Sequence, residues 1–511
     1  MATNNITKKP ATGWARRVLP LCLITLLPLT ASAQFGNARG GFGGSNQDAF
    51  NQNRANNFND YRQKLNAEYV KLTREQWRGF ITQPAVKVPD RDVKPVAPIK
   101  MSDDDAKRRQ EQKQEKQITI QKVVTPIKKN TTPPQPVAPV KETPVDNVQQ
   151  LSFAYLGQTL HVRKPSGQPV RLSGLSENAV ADAWEKLCDT RFNNLVVDCV
   201  KLRSSQQLCD WAYLLMLKSL ADSYCGSGND ATLLMAFLYS QSGYKIRLGQ
   251  ADGRLEMLYA TQHILYNRAY VNCDGDRFYP FNKEVKNIKV NAAKYPKEQS
   301  MSLWVPSTPQ AAFQAAPART LTAKRYPAMS AKVSENKNLL TFFNTYPTSE
   351  VGGNFMTRWA MYANTPICAN VRNELYPQLK RAIQGDTPLQ AVEKLLNWVQ
   401  TAFVYEYDDK VWGGDRAFFP DETLYYPYCD CEDRSILFTR LVRDLVGLKC
   451  ILVYYPGHLA SAVSFNTQVN GDYISIGGKK YTVCDPTYIG APVGSTMPKM
   501  DNASANVIML E

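Results

Sequence analysis

Near its C-terminal end the chain reads Tyr428-Cys429-Asp430-Cys431-Glu432-Asp433-Arg434-Ser435. This stretch has the chemistry of a helix start. Asp430 is a good N-cap, and Asp433 supplies the carboxylate three residues on that completes a capping box. Leu437, Leu441 and Leu445 follow at four-residue spacing and Gly447 is a fitting C′ glycine, so a helix is expected from Cys431 to Val446. Cys431 then falls in the first helical turn, where unpaired N–H groups and the helix dipole favour thiolate over thiol. The thiolate is the nucleophilic form, so the placement suits acyl chemistry.

Beyond Gly447 the pattern changes to strands. Lys449–Tyr455 reads as one, Pro456-Gly457 as a turn and His458–Phe465 as a second; Val469–Ile476, Gly477-Gly478 and Lys480–Cys484 make a hairpin. His458 and Asp485 are thereby placed at the ends of neighbouring strands, facing the helix start. Only three His occur in the chain, which leaves few sources for a general base. Asp485 is placed to accept the second imidazole N–H and fix its tautomer. His161 and His263 have no nucleophile at useful spacing and read as structural.

The 511 residues exceed one ordinary domain. Residues 1–33 read as an export signal. Lys8, Lys9, Arg16 and Arg17 precede an apolar stretch, Val18 to Thr30, and Ala31-Ser32-Ala33 is a small-residue cleavage site. The apolar stretch is too short and Pro-broken to span a membrane, and no later segment is long enough. The formal charge is +15, or +11 without the four bases of the leader. Residues 34–150 carry 20 Lys and Arg against 13 Asp and Glu, a diffuse basic excess that reads as solvated. No nucleic-acid motif is present. Ten cysteines follow Cys22, and an oxidising compartment predicts that some of them pair.

Residues 34–58, rich in Gly, Asn and Gln, read as disordered. Residues 59–81 read as an amphipathic helix with Leu65, Tyr69, Leu72 and Trp77 on one face and no partner nearby in sequence, a surface for docking on the globular part or on an envelope protein. Residues 82–148 read as an extended Pro/Lys-rich linker with one short charged helix near 103–118. After that the chain repeats itself. Tyr428-Cys429 set over Tyr224-Cys225 runs without a gap to Gly447-Leu448-Lys449 over Gly243-Tyr244-Lys245. Helical stretches, Ala179–Leu202 and Pro388–Phe403, lie upstream of the two copies. Ser227 stands opposite Cys431, or Gly228 if Asp230 is matched to Asp433, and nothing near Phe278–Phe281 answers Asp485. The first copy, 149–312, is therefore read as a degenerate unit, 313–345 as a linker and 346–511 as the unit with the reactive residues.

From about Tyr405 to Gly494, a fifth of the chain, the sequence resembles the bacterial transglutaminase-like family of the papain-like superfamily. Tyr405, Gly413-Gly414-Asp415-Arg416, Pro420-Asp421-Glu422-Thr423-Leu424, Asp430-Cys431-Glu432-Asp433, His458 and Asp485-Pro486-Thr487 carry the likeness. It implies an α+β fold with two tandem papain-like units, each a helix packed on an antiparallel sheet, Cys-bearing in the second. Cys431 would be the nucleophile, His458 the general acid/base and Asp485 the orienting acid, with no cofactor and no metal. The implied activity is cysteine-dependent acyl transfer or amide hydrolysis on peptide or protein substrates, cell-wall peptide among them, through a thioester in the periplasm or outside the cell. The chain departs from the family in placing Leu459-Ala460, not an aromatic, after the His. For the oxyanion, the backbone N–H of Cys431 and the side chain of Trp412 are the candidates.

Three other readings compete. Cys431 can be read as structural or bridged; Cys429, Cys431, His458 and Cys484 as zinc ligands at an unusual Cys-x-Cys spacing; or the whole chain as a non-catalytic periplasmic peptide-binding or adaptor protein.

Overall fold

The capping signals around Cys431 produce the element they predict. In the computed structural model, which describes residues 60–88, 95–112, 114–126, 132–282 and 285–511, a helix runs Cys431–Leu445. Asp430 is its N-cap, a capping box joins Asp430 to Asp433, and Gly447 lies just past its end at φ +75°. Leu437 and Leu441 are fully buried against the sheet behind, each stabilising the fold by roughly 1.5–3 kcal/mol. The predicted strands follow as Lys449–Tyr455, His458–Ser464, Gly471–Ile476 and Lys479–Cys484, with the two-residue turns Pro456-Gly457 and Gly477-Gly478. The expectations for 1–33 and 34–58 lie outside the described residues.

The fold is α+β with largely antiparallel sheets. One sheet has the order Arg78–Ile81, Asn287–Val290, Ile246–Ala251, Arg254–Ala260, Asp276–Pro280, Val271–Cys273. The other runs Lys122–Val124, Asn506–Met509, Lys449–Tyr455, His458–Ser464, Lys479–Cys484, Gly471–Ile476, Glu115–Gln117. In both, a buried helix leads through Gly243 or Gly447 into a central hairpin. The fourth strand in sequence joins the second, the third flanks the fourth, and the last returns beside the first. The two units thus share one strand order. The 204-residue register holds at the helix ends, Gln241 and Leu445, and at the strand starts, Arg254 and His458. It slips at the helix starts, because Asn229 and Cys431 are the first helical residues.

The connecting segments differ from the sequence expectation. The helix near the start covers 60–74, then gives way to the strand Arg78–Ile81, whose four residues pair antiparallel with Asn287–Val290. Of the two docking partners open to it, the helix takes the globular part. Tyr69 is stacked between Trp184 and Tyr295, with ring centroids 4.6 and 4.5 Å away. The 82–148 segment is no free connector. It forms the helix Asp103–Glu111, both edge strands of the second sheet and a return path over the first unit, where Pro134, Val137 and Thr143 bond to Arg203, Gln241 and Asn194. Residues 313–345 hold the hairpin Arg319–Thr322/Ser330–Val333 and the helix Lys337–Thr345, which buries Leu339, Leu340, Phe342 and Phe343. The Ala/Pro composition before Arg319 masks the alternation that puts Leu321, Ala331 and Val333 inside. Upstream of the first copy, the helical stretch over 179–202 consists of two helices, Glu177–Leu187 and Asn193–Ser205, separated by a short 3-10 turn at Thr190–Phe192. No helix among the described residues is long and apolar enough to cross a membrane.

Candidate active site

Each of the three predicted residues sits where its element ends. Cys431 is the first residue of its helix and is 2 % exposed. The helix start is fixed from several directions. Asp430 accepts from the Glu432 N–H at 3.2 Å, while Asp433 accepts from Asp430 N–H at 3.2 Å and from Phe418 N–H at 2.8 Å. Burial, with neighbouring acids adding to it, pushes both Asp430 and Asp433 carboxyls well above their usual range.

His458 opens its strand immediately after the Pro456-Gly457 turn. Its Nε2 lies 2.8 Å from Oδ2 of Asp485. The other oxygen of Asp485 accepts the N–H groups of Thr487 and Tyr488 at 2.9 and 3.2 Å. An acid so engaged accepts an N–H from Nε2; in a neutral ring that leaves Nδ1 with the lone pair. Nδ1 is buried and has no hydrogen-bond partner. A buried ring nitrogen without a protein partner is costly.

The Cys and His elements are clipped together. Ser435, one turn along from Cys431, donates to the carbonyl of Leu459, next to His458, at 2.8 Å. The thiol and the imidazole are not themselves hydrogen-bonded. The thiol donates to Glu432 at 3.2 Å, and Nδ1 stands unused. All three side chains are 3 % exposed or less, so the site is closed in this conformation.

Three residues that the sequence reading left without a role matter here. Arg434 is fully buried and donates to the carbonyls of Gln400, Phe403 and Pro486 at 3.2, 3.0 and 3.4 Å. Gln400 donates to the carbonyls of Asp485, Tyr488 and Ala491, fastening the loop that carries Asp485 to the helix Pro388–Ala402. Tyr405 lies in a short strand paired with Tyr428–Cys429, and its hydroxyl is buried without a partner. Burial first, then the neighbouring Cys431, Asp430 and Glu432, hold that phenol firmly protonated. Trp412, the second of the two oxyanion candidates, is packed on Phe418 and Tyr426 with the Arg416 guanidinium 4.3 Å over its ring. Tyr405 was visible as a motif residue. Its proximity to Cys431 depends on a parallel pairing across 24 residues, which has no local signal.

The competing structural readings fare differently. The ten described cysteines are all unbonded, so the expected pairing is not realised. The thiols of Cys429, Cys450 and Cys484 are each turned to a backbone carbonyl, at Val404, Leu448 and Thr482. With Cys429 and Cys484 so directed and His458 held by Asp485, the four imagined zinc ligands do not converge. His263 is enclosed, bonded to Ser349 and to the Leu303 N–H, and burial lowers its pKa to about 3. In the first unit Arg254 takes the place of His458 and Phe281 that of Asp485, so the corresponding corner holds no such constellation.

No family model matches the chain, and no curated protein matches it.

Proposed function

We propose that this chain is an exported, transglutaminase-like cysteine acyltransferase or amidase acting on peptide or protein amides of the cell envelope. The observation that carries the reading is the imidazole held by Asp485 through Nε2, with Nδ1 left without a partner, on a strand that Ser435 of the Cys431 helix clips at Leu459. In the reaction, Nδ1 takes the thiol proton as Sγ attacks the amide carbon. The tetrahedral oxyanion collapses, the C–N bond breaks, and the leaving amine carries away the proton from His458. Water or a second amine then attacks the thioester, with His458 again moving the proton. The backbone N–H of Cys431 and the Tyr405 hydroxyl are the two donors for the oxyanion. Because the site is closed and the thiol faces Glu432, substrate entry has to rotate the thiol towards Nδ1. The two units are read as papain-like folds of which the first serves as scaffold.

A second reading, a non-catalytic peptide-binding or adaptor protein of the periplasm, draws on that same thiol–Glu432 contact. Labelling with a thiol-reactive peptide probe, read at Cys431 by mass spectrometry, separates the two. Enzyme chemistry requires labelling to vanish in Cys431→Ala, to fall by about 10²-fold or more in His458→Ala, and to survive with slower turnover in Tyr405→Phe. Equal rates in wild type and His458→Ala favour the adaptor.

A further inference from the structure

Residues 95–101, Pro-Val-Ala-Pro-Ile-Lys-Met, lie more than 350 residues before His458 yet touch the two loops that present the His–Asp pair. Val96 N–H donates to the carbonyl of Gly457, the residue before His458, at 3.0 Å. Ile489, four residues after Asp485, donates to the carbonyl of Ile99 at 2.8 Å and accepts from Met101 N–H at 2.9 Å. Val96, Ile99 and Met101 also pack on Tyr488, Ala491 and Met497.

The alternation along the sheet says which face this segment covers. Leu459 and Val463 belong to the core under the Cys431 helix. Ala460 and Ala462 belong to a second core on the opposite face, with Tyr455, Val483 and Ile118. His458 and Asp485 share the parity of that second face. Both ends of the strap are held. Beyond it, Ser102 caps the helix Asp103–Glu111, and Arg109 from that helix pairs with Asp472 at 2.8 Å. Before it, Val86 bridges to Tyr266 in the first unit.

We propose that residues 95–101 are a positioning strap for the catalytic pair, contributed from outside the second unit. By fixing Gly457 and Ile489 together, the strap sets the separation of His458 and Asp485 and so the aim of Nδ1. This rests on the enzymatic reading above. It deepens that reading by making the N-terminal segment part of the reactive site.

The test uses the full-length mature chain and the alkylation rate of Cys431 by iodoacetamide, with thermal unfolding in parallel. Val96→Pro and Met101→Pro each delete one strap N–H donor; Val96→Ala keeps it. The strap predicts that both proline variants fall towards the His458→Ala rate, about 10²-fold below wild type, at temperatures where they remain folded. Val96→Ala should stay within about twofold, since it retains the donor. Folded proline variants with wild-type rates overturn the strap while leaving the enzyme reading intact, provided His458→Ala is slow. Faster alkylation in the proline variants also overturns it, because the segment would then be a lid. A wild-type rate in His458→Ala overturns the enzymatic reading itself.

Discussion

Replacing Arg434 by Met tests whether the buried guanidinium holds the site together. Arg434 reaches three backbone carbonyls, one at the end of the helix Pro388–Ala402, one at Phe403 leading into Tyr405, and one at Pro486 beside Asp485. Met fills much of the volume and removes the charge, but it satisfies none of the three. At about 1 kcal/mol for each stranded acceptor the loss is about 3 kcal/mol, the low end for breaking buried charge-assisted bonds. For a cooperative unit of about 150–250 residues that lowers Tm by roughly 6–12 °C. Arg434→Lys keeps the charge but cannot span three carbonyls with one ammonium, so it should fall between wild type and Met. Differential scanning calorimetry reads the stability and Cys431 alkylation reads the site; both should drop together. A Met variant that melts within about 2 °C of wild type would refute the keystone argument, since even one uncompensated buried acceptor costs more.

Burial pushes the Asp421 carboxyl up to about 6, so between about pH 4, where it titrates in the unfolded chain, and pH 6 the folded protein holds a proton that the unfolded chain releases. Stability therefore falls as pH rises through that window. Asp421→Asn, which can still accept from the Cys368 N–H, should flatten the slope of Tm against pH there, and an unchanged slope would refute the assignment. The paired helix-end glycines give a contrast. Gly447, at φ +75°, has open space where a β-carbon would stand, so Gly447→Ala should cost only about 1–2 kcal/mol for the left-handed backbone. Gly243, at φ +98°, abuts the carbonyl of Gln135, so Gly243→Ala should cost clearly more in denaturant melts; equal costs would contradict the packing of the return segment.

Local signals carried the reading wherever the decisive interactions were local. Asp430, Asp433 and Gly447 fixed both ends of the Cys431 helix, and the glycine turns fixed the hairpins, so the placement of Cys431, His458 and Asp485 was legible. The repeat was legible because Gly243 and Gly447 end equivalent helices. What stayed hidden was long-range. Glu115-Lys116-Gln117 has no apolar alternation, and it becomes a strand only because Gly471–Tyr473 offers an open edge some 356 residues away. Arg434 sat in the quoted stretch, but its three acceptors come from segments that only the fold brings together. Glu432 stood in the quoted stretch without a role of its own, although the thiol beside it makes it part of the site.

The path of the early segment has a consequence for synthesis. Residues 60–126 leave the ribosome before either sheet exists, yet they supply the outer strands Arg78–Ile81, Glu115–Gln117 and Lys122–Val124. Until the last strand, Asn506–Met509, is made, Lys122–Val124 has nothing to pair with. Completion of the second sheet therefore waits on distant pairings, which makes it slow. A fragment beginning at residue 346 would expose two bare strand edges and invite self-association.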